Sequence, residues 1–301
     1  MPKITTPAMK KAKKMAAKRP LKTGFWHESW YRLRRNKIAI VGMVILIILI
    51  ILALFPETFA PYGEDEQNYS VSLTFPNKDY PLGTDNYGRD ILSRLIYGTQ
   101  VSLKIGFLSM SISLMIGGFL GLFAAYYGDR IEDLIMRIMD ILYSLPSFLM
   151  AIAIAAALGT GEFNLILAIA ISYVPQYSRI VRASALTVKS QEFMEAAYAI
   201  GASPLRQMFK HMLPNALAPI IVKATLGVAQ AILAAAALSF VGVGIRPPTA
   251  EWGVMLSAGR SYIRTHWYIV TFPGLMIMIT IFALNLLGDG FRDAMDPKLK
   301  R

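Results

Sequence analysis

Few polar side chains interrupt the long apolar runs of this 301-residue sequence, and they are the residues able to do chemistry. An ionisable group in a membrane core costs roughly 2.5–3.5 kcal/mol on insertion scales, so each one needs a physical reason. Lys104 is close enough to the end of a run for its amine to reach the lipid headgroups. Asp140 lies three residues from Arg137, which predicts a local ion pair. Lys223 is deeper: it either reaches back to the headgroups or faces a transport path and attracts a carboxylate. Gln230 is predicted to form hydrogen bonds between helices, and with Lys223 it is our candidate for the translocation path.

The motifs of enzymatic catalysis are absent from the sequence. It contains no G-x-x-x-x-G-K-[ST] loop for a nucleotide, no H-E-x-x-H zinc motif and no G-x-S-x-G nucleophile elbow. There is no cysteine, and the three histidines (His27, His211 and His266) are far apart in the chain. We therefore assign no catalytic residue, no metal ligand and no cofactor to this chain, and the sequence predicts that it is not an enzyme.

Composition places the chain among membrane proteins. Hydrophobic residues make up 55% of it and charged residues 17%, against about 25% charged residues in an average soluble domain. The net charge of +12 is concentrated in residues 1–37, which hold twelve Lys/Arg and one acid. This concentration predicts a basic tail near anionic lipid headgroups and argues against a nucleic-acid-binding face.

The apolar runs predict an all-α integral membrane protein with six transmembrane helices. The first run is long enough to cross the hydrocarbon layer and follows 37 residues, so we interpret it as an uncleaved anchor rather than a signal peptide. Pro146 and Pro175 interrupt the third and fourth runs, which membrane helices tolerate when neighbours satisfy the freed carbonyls. The predicted spans are 38–55, 101–127, 138–158, 165–181, 216–241 and 267–287.

The distribution of basic residues predicts the orientation. The basic N-terminus stays in the cytoplasm, the acidic loop 56–100 lies outside, and residues 182–215 and the C-terminus lie inside. The loop 242–266 fits poorly, since it has three arginines and one acid but is predicted to lie outside. The predicted organisation is a basic cytoplasmic tail (1–37), the first helix with an external amphipathic segment (38–100), a transmembrane domain of five helices (101–291) and a cytoplasmic C-terminal tail (292–301).

Residues 190–214 are too polar to cross a membrane, and their pattern predicts two short helices. Ser190 is the expected cap of the first helix, and a glycine, Gly201, is placed to end it in the left-handed conformation. Ser203 is the expected cap of the second helix, with Pro204 at its first position and Pro214 at its end. The predicted apolar stripes are Phe193, Ala196, Ala197 and Ile200 on the first helix and Leu205, Met208, Phe209, Met212 and Leu213 on the second.

The pattern alone leaves two interpretations of this helical pair. It either lies on the headgroups as an amphipathic unit or projects as a rigid helix–Gly–helix unit that seats against a soluble partner. In the second case the apolar residues of the second helix either fill a cleft on the partner or brace the unit against its own bundle.

The same residues carry a family resemblance. "EAA" at 195–197, Gly201 and the "LP" at 213–214 resemble the EAA loop of permease subunits from bacterial ABC importers. His211 departs from the general pattern, but "HMLPN" at 211–215 is similar to the peptide and nickel branch of that family. The resemblance implies that this loop docks into an ATPase subunit. The docking residues it implies are Glu195, Ala196, Ala197, Gly201, Ala202, Ser203, Leu205, Arg206, Met208, Phe209 and Pro214.

A second stretch supports the same branch. Residues 81–103, "PLGTDNYGRDILSRLIYGTQVSL", resemble the segment before the second span in C-type permeases of dipeptide, oligopeptide and nickel importers. The residue pattern predicts an amphipathic helix capped by Thr84 or Asp85 and stopped by Gly98, with Ile91, Leu92, Leu95 and Ile96 facing inward. This helix either lies at the membrane interface or contacts the external gate or a binding protein. Residues 136–150 and 238–253 extend the resemblance to nearly all of the chain from Phe25 to Lys300.

The resemblance implies an ATP-driven import permease of the bacterial cytoplasmic membrane with a type I importer fold. Its implied partners are a homologous second permease, two ATP-binding cassette subunits that bind ATP and Mg²⁺, an extracytoplasmic substrate-binding protein and membrane lipid. Short peptides are the first expected substrate, and nickel or related chelates are the alternative. A gradient-driven transporter acting alone, or a scaffold that anchors partners, are the other classes that the sequence leaves open.

Overall fold

The computed structural model describes residues 25–295, so the predictions for residues 1–24 and 296–301 lie outside the described part. Within it the chain is helical and forms no strand. The helices are α1 (Phe25–Leu33), α2 (Lys37–Leu54), α3 (Pro56–Phe59), α4 (Ile91–Tyr127), α5 (Asp129–Tyr143), α6 (Ser147–Leu158), α7 (Glu162–Lys189), α8 (Glu192–Ala199), α9 (Pro204–Val241), α10 (Trp252–Gly259) and α11 (Tyr268–Met295). Short 3₁₀ turns occupy Tyr69–Val71 and Arg260–Tyr262.

Four of the described helices are long and apolar enough to cross a membrane: α2, α4, α9 and α11. The third predicted span, 138–158, is not one straight helix, because α5 and α6 meet at an angle of 85° around Ser144–Pro146. Counting this bent pair once gives five spans. Helix α7 has 28 residues and contains Pro175, but its C-terminal half carries Arg179 and Arg182 and is more polar than the others.

Helix α4 begins later and continues further than the sequence predicts. Asp90, rather than Thr84 or Asp85, caps it, because its carboxylate accepts a 2.7 Å hydrogen bond from the backbone N–H of Ser93. The helix then passes Gly98 and ends at Tyr127, so the prediction of a stop at Gly98 is wrong. Gly98 serves close packing instead: a Cβ there would lie 3.0 Å from Cδ1 of the Trp252 side chain. The predicted domain boundary at residue 100 consequently falls inside this helix.

Helices α4 and α7 form the most extensive helix pair. A Cβ at Gly117 would lie 2.5 Å from the carbonyl oxygen of Val174, and one at Gly121 would overlap the carbonyl oxygen of Ser178. Close approach of this kind is typical of small residues spaced four apart in membrane helices. Ser113 adds a hydrogen bond of 2.8 Å to the Ala170 carbonyl across the same contact. The two helices therefore form one closely packed pair.

Charged side chains gather at the N-terminal end of α4, in a group that we call the α4 cluster: Asp85, Arg89, Arg94 and Glu251, which are buried, and Asp65, which is exposed. Arg89 donates to Asp85 at 2.7 Å and to Asp65 at 2.9 Å, which holds the pKa of the Asp65 carboxyl below its usual range. Arg94 donates to the carbonyls of Glu64 and Pro248, which ties the loop before α4 to the loop before α10. Glu251 caps α10 from a fully buried position, and this burial raises the pKa of its carboxyl.

Candidate docking unit and transport path

The docking unit, residues 190–214, contains the predicted bend. Gly201 has φ +74°, and the N–H of Ala202 donates to the Ala197 carbonyl across the bend, so the prediction of a left-handed glycine is confirmed. Gln207 was not predicted to take part, but it is buried and donates to the Ala202 carbonyl at 2.7 Å. No sequence signal pointed to this role, because the helical spacing places Gln207 with Arg206 and Lys210 on the polar face.

The first arm of the docking unit, α8, presents a different face to the bundle than predicted. Met194 and Ala197 are buried, whereas Phe193, Ala196 and Ile200 are exposed, so of the predicted stripe only Ala197 packs inward. Ser190 does not cap the helix: its hydroxyl donates to the Thr187 carbonyl, and Gln191 precedes the helix without a side-chain cap.

The second arm is the beginning of α9 rather than a separate helix. Ser203 stands at the cap position without a side-chain bond, and Pro204 is at the first helical position. A π-helical turn, Gln207–Met212, precedes Pro214, and the helix then continues to Val241, so the prediction that Pro214 ends it is wrong. Proline cannot donate a backbone hydrogen bond. The side chain of Asn215, the next residue, donates to the carbonyl of His211 one turn earlier at 2.7 Å.

The apolar residues of the second arm divide between two roles. Met208 and Met212 are fully buried against Leu122 and Val181, at the C-terminal end of α4 and on α7. Leu205 and Phe209 remain 63% and 45% exposed. One side of the second arm therefore braces the bundle, as one of the two alternatives predicts, whereas the other side is uncovered and remains available to a partner.

Most of the predicted docking residues are accessible. Ala197 and Met208 are buried and Ala202 is half-buried. The exposed ones are Glu195, Ala196, Gly201, Ser203, Leu205, Arg206, Phe209 and Pro214.

Four apolar side chains flank the Gly201 bend and form what we call the apolar docking face: Tyr198, Ile200, Leu205 and Phe209. Tyr198 is 76% exposed and Ile200 is 83% exposed. Side chains of this size concentrated around one bend mark a surface suited to a protein partner or to lipid.

Polar contacts join the helices behind the docking unit to one another. Lys189, at the end of α7, donates to the Ala125 and Tyr126 carbonyls at the end of α4, at 2.9 and 2.8 Å. Arg182 forms an ion pair with Glu132 of α5. Asp140 pairs with Arg179 of α7 at 2.6 Å. The predicted Asp140 partner, Arg137, is therefore wrong, because the packing of α5 on α7 brings an arginine from a distant part of the sequence closer.

The two predicted path residues meet on one face of α9. The Lys223 ammonium lies 3.4 Å from the Gln230 side-chain oxygen, seven residues further along the helix. The contact predicted between helices is thus made within one helix. Lys104, by contrast, has its own carboxylate, Glu162, at 2.8 Å, rather than reaching the headgroups alone.

Two cavities open beside this face of α9. The first has a volume of about 690 Å³ and reaches the bend between α5 and α6. Its lining residues are Tyr143, Ser144, Leu145, Pro146, Ser147, Phe148, Tyr173, Gln176, Gln230, Leu233, Ala234 and Ala237. The second has a volume of about 900 Å³, lies between α7, α9 and α11 next to the docking unit, and includes Lys223 and Arg292 in its lining.

Comparison with known proteins decides the family. Residues 117–301 match the model of the binding-protein-dependent transport system inner membrane component, and residues 24–76 match the N-terminal transmembrane domain of oligopeptide transport permease C. The chain belongs to the family of binding-protein-dependent transport system inner membrane components. The first match covers more than half of the chain and contains the docking unit and both cavities.

Curated relatives of this family match along almost the whole chain. The chain is 47% identical to the di/tripeptide transport system permease protein DppC of Pseudomonas aeruginosa, over 91% of this chain and 92% of that protein. It is 46% identical to the dipeptide transport system permease protein DppC of Alkalihalophilus pseudofirmus, over 91% and 90%. It is 43% identical to the glutathione transport system permease protein GsiD of Escherichia coli, over 91% of each chain. These relatives are transport subunits rather than enzymes, which confirms the predicted class of this family member.

Solved structures support the fold of the family. The chain is similar to an inward-facing conformation of the MetNI methionine ABC transporter, with a TM-score of 0.55 and 20% identity over 67% of this chain and 96% of that one. It is also similar to an amino acid ABC transporter crystallised with histidines, with a TM-score of 0.52 and 16% identity over 67% and 94%. At this identity the likeness concerns the helical architecture, and it supports an all-α, multi-pass membrane protein.

Proposed function

We propose that this chain is a permease subunit of an ATP-driven importer of short peptides in the bacterial cytoplasmic membrane. In this proposal α7 is a sixth span and α5 and α6 together form the third. Both termini then lie in the cytoplasm, on the same side as the docking unit. The names of the relatives, which concern dipeptides, tripeptides and glutathione, favour a peptide over the nickel chelates that the sequence left open.

The observation that carries the coupling role is the apolar docking face. Tyr198, Ile200 and Leu205 are uncovered, although the arm behind them is packed by Met194, Met208 and Met212. A surface that is apolar in front and rigidly supported behind suits a protein cleft, because it loses little conformational freedom when it binds. We assign this cleft to an ATPase subunit, which also supplies the ATP and Mg²⁺ sites.

The exposed polar face of α9 supports the presence of a second permease subunit in the importer. Gln230 is exposed halfway along a predicted span, and Lys223 is only half-buried. Contact with lipid is unfavourable in free energy for such polar groups, so side chains of this kind usually face a bundle interior or a water-filled cavity. A homologous permease seated opposite α9 would enclose both cavities as a shared path, fed from the outside by a substrate-binding protein.

Co-purification tests the coupling role. The chain is co-expressed with the second permease and the ATPase subunits, and Ile200→Asp and Leu205→Asp are compared with wild type. Both variants should lose the ATPase subunits from the purified complex and lose ATP-dependent dipeptide uptake in proteoliposomes. Phe163→Asp is the matched control, because Phe163 is a similarly exposed apolar residue at the other end of α7. Retention of the ATPase by both docking-face variants, or dipeptide uptake by this chain alone without ATP, would overturn the proposal.

A further inference from the structure

The side chain of Lys223 points away from the membrane surface nearest to it. Its ammonium meets Gln230, seven residues towards the C-terminal end of α9. Side chains on a helix usually lean towards its N-terminus, and in the proposed orientation that end is the cytoplasmic one. A lysine that only sought the cytoplasmic headgroups would extend in the opposite direction. Lys223 therefore faces the path rather than the nearer lipid surface.

The charge of Lys223 is also left without an acid. Lys104 pairs with Glu162, Arg179 with Asp140 and Arg182 with Glu132. Within residues 25–295 no carboxylate lies within ion-pairing distance of Lys223, and its one polar side-chain contact is the neutral Gln230. A cation held in a span attracts a negative charge, and in this chain that charge has to come from another molecule.

The Lys223–Gln230 contact joins the two cavities. Lys223 lines the 900 Å³ cavity beside the docking unit, and Gln230 lines the 690 Å³ cavity at the α5–α6 bend. The polar groups of the smaller cavity are neutral hydroxyls and amides, among them Tyr173 and Gln176. The side-chain oxygen of Gln176 is buried and has no hydrogen-bond partner among the described residues. A turn of this side chain would bring the unpartnered oxygen to an N–H group that enters the cavity.

We propose that Lys223 and Gln230 form a subsite for the C-terminal carboxylate of the transported peptide, with Gln176 accepting a hydrogen bond from a peptide N–H. This inference rests on the proposed import of peptides. A carboxylate beside Lys223 gains a charge-assisted hydrogen bond, and the amide of Gln230 can donate to its second oxygen. The lining of the smaller cavity has no acid to hold an α-amino group, so this subunit distinguishes peptides by their carboxyl end.

The test compares a free dipeptide with its amide in the complete importer. The binding protein is loaded to saturation with Ala-Phe or with Ala-Phe amide before it is added to ATP-containing proteoliposomes, so that its own selectivity does not enter the measurement. The acid-to-amide ratio of initial uptake rates should be about tenfold in wild type, fall close to one in Lys223→Met, and return in Lys223→Arg. Lys104→Met is the matched control, because it removes another lysine from a span, and it should keep the wild-type ratio.

Each other outcome overturns a defined part of the account. If wild type takes up neither peptide, the proposed function fails and the subsite fails with it. If Ala-Phe is taken up but Lys223→Met keeps the wild-type ratio, the carboxylate subsite alone is wrong. If Lys223→Met lowers both uptake rates equally, the counter-charge of Lys223 is a lipid phosphate or an acid of the second permease, and the subsite is again wrong.

Discussion

The two ends of α4 lie in contrasting environments: charged groups are paired within the chain at one end, and apolar side chains are exposed at the other. At its N-terminal end the α4 cluster buries charged groups and pairs them within the chain, with Arg89 held between Asp85 and Asp65. At its C-terminal end the docking unit satisfies its backbone through Gly201 and Gln207 but leaves apolar side chains uncovered. The first end pairs its charges within the chain, whereas the second end presents an ordered apolar surface that we propose binds an ATPase subunit. Substitutions should therefore affect stability at the first end, whereas substitutions of the exposed apolar residues at the second end should affect assembly.

The largest effect is expected in the α4 cluster. Arg89→Met leaves Asp85 buried without its closest partner, and breaking a buried pair in this way typically costs about 3–5 kcal/mol. We expect a clear fall in the unfolding temperature of the purified complex, measured by heating in detergent. Lys78→Met is the control, since Lys78 is an exposed lysine of the same loop and its loss should leave the temperature unchanged. Equal unfolding temperatures for both variants would show that the cluster does not hold this end together.

The second prediction compares the buried side and the exposed side of the second arm of the docking unit. Met208→Ala empties a fully buried site and should cost about 2–5 kcal/mol of stability. Leu205→Ala, three residues away and 63% exposed, should change stability by less than about 0.5 kcal/mol but weaken ATPase co-purification. The comparison of thermal unfolding with co-purification for both variants tests the division. It would fail if Leu205→Ala unfolded as readily as Met208→Ala.

A smaller effect is expected at the bend of the docking unit. Gly201→Val forces a β-branched residue into φ +74°, at a cost of about 1–2 kcal/mol. No atom lies within 4 Å of the added Cβ, so the penalty comes from backbone conformation rather than from a clash. We expect assembled but poorly coupled complexes, whose ATPase activity no longer rises with substrate. Gly201→Asn should retain coupling, because asparagine tolerates the left-handed region. Normal substrate-stimulated ATPase activity in Gly201→Val would contradict a coupling role.

The smallest effect is a pH dependence in the α4 cluster. Arg89 lowers the pKa of Asp65 in the folded chain, so the pair contributes stability above the unfolded pKa of about 4 and loses it as pH falls through the lower folded value. Wild type should unfold at a higher temperature than Asp65→Asn at pH 7, and this difference should shrink below pH 4. Because both proteins retain Glu251, its titration cancels in the comparison. A difference independent of pH would mean that the Asp65 charge contributes nothing.

The sequence predicted local structure best at residues whose type is tied to one backbone conformation. Gly201 follows a helical pattern, and few residues other than glycine adopt the left-handed conformation at such a position, so its φ of +74° could be predicted. Pro204 after Ser203 likewise marked the start of a helix. The family loop could be recognised for the same reason, because its glycine and proline are tied to backbone geometry.

Contacts between distant parts of the chain could not be predicted. The apolar residues of α8 surround the helix, and their spacing does not say whether Met194 or Ile200 meets the bundle. Asp140 has a basic neighbour in sequence, yet the packing of α5 on α7 pairs it with Arg179. Helix α4 continues past Gly98, on which Trp252 packs, and α9 continues past Pro214, which follows its π-helical turn. None of these partners is local enough for a pattern to reveal.

The continuity of α9 has a mechanical consequence. Its 38 residues correspond to about 57 Å of helix, from the bend at Gly201 to the loop that leads to Glu251 and the α4 cluster. A continuous helix of this length cannot shift at one end alone. A displacement of the first turn of α9 tilts the whole helix, unless the π-helical turn bends and takes up the movement. Tyr177 packs so closely on Gly227, midway along the helix, that a Cβ there would overlap its hydroxyl oxygen. This close contact is the expected pivot of α9. A displacement of the docking-unit end of the helix would then move its other end, across the membrane, in the opposite direction.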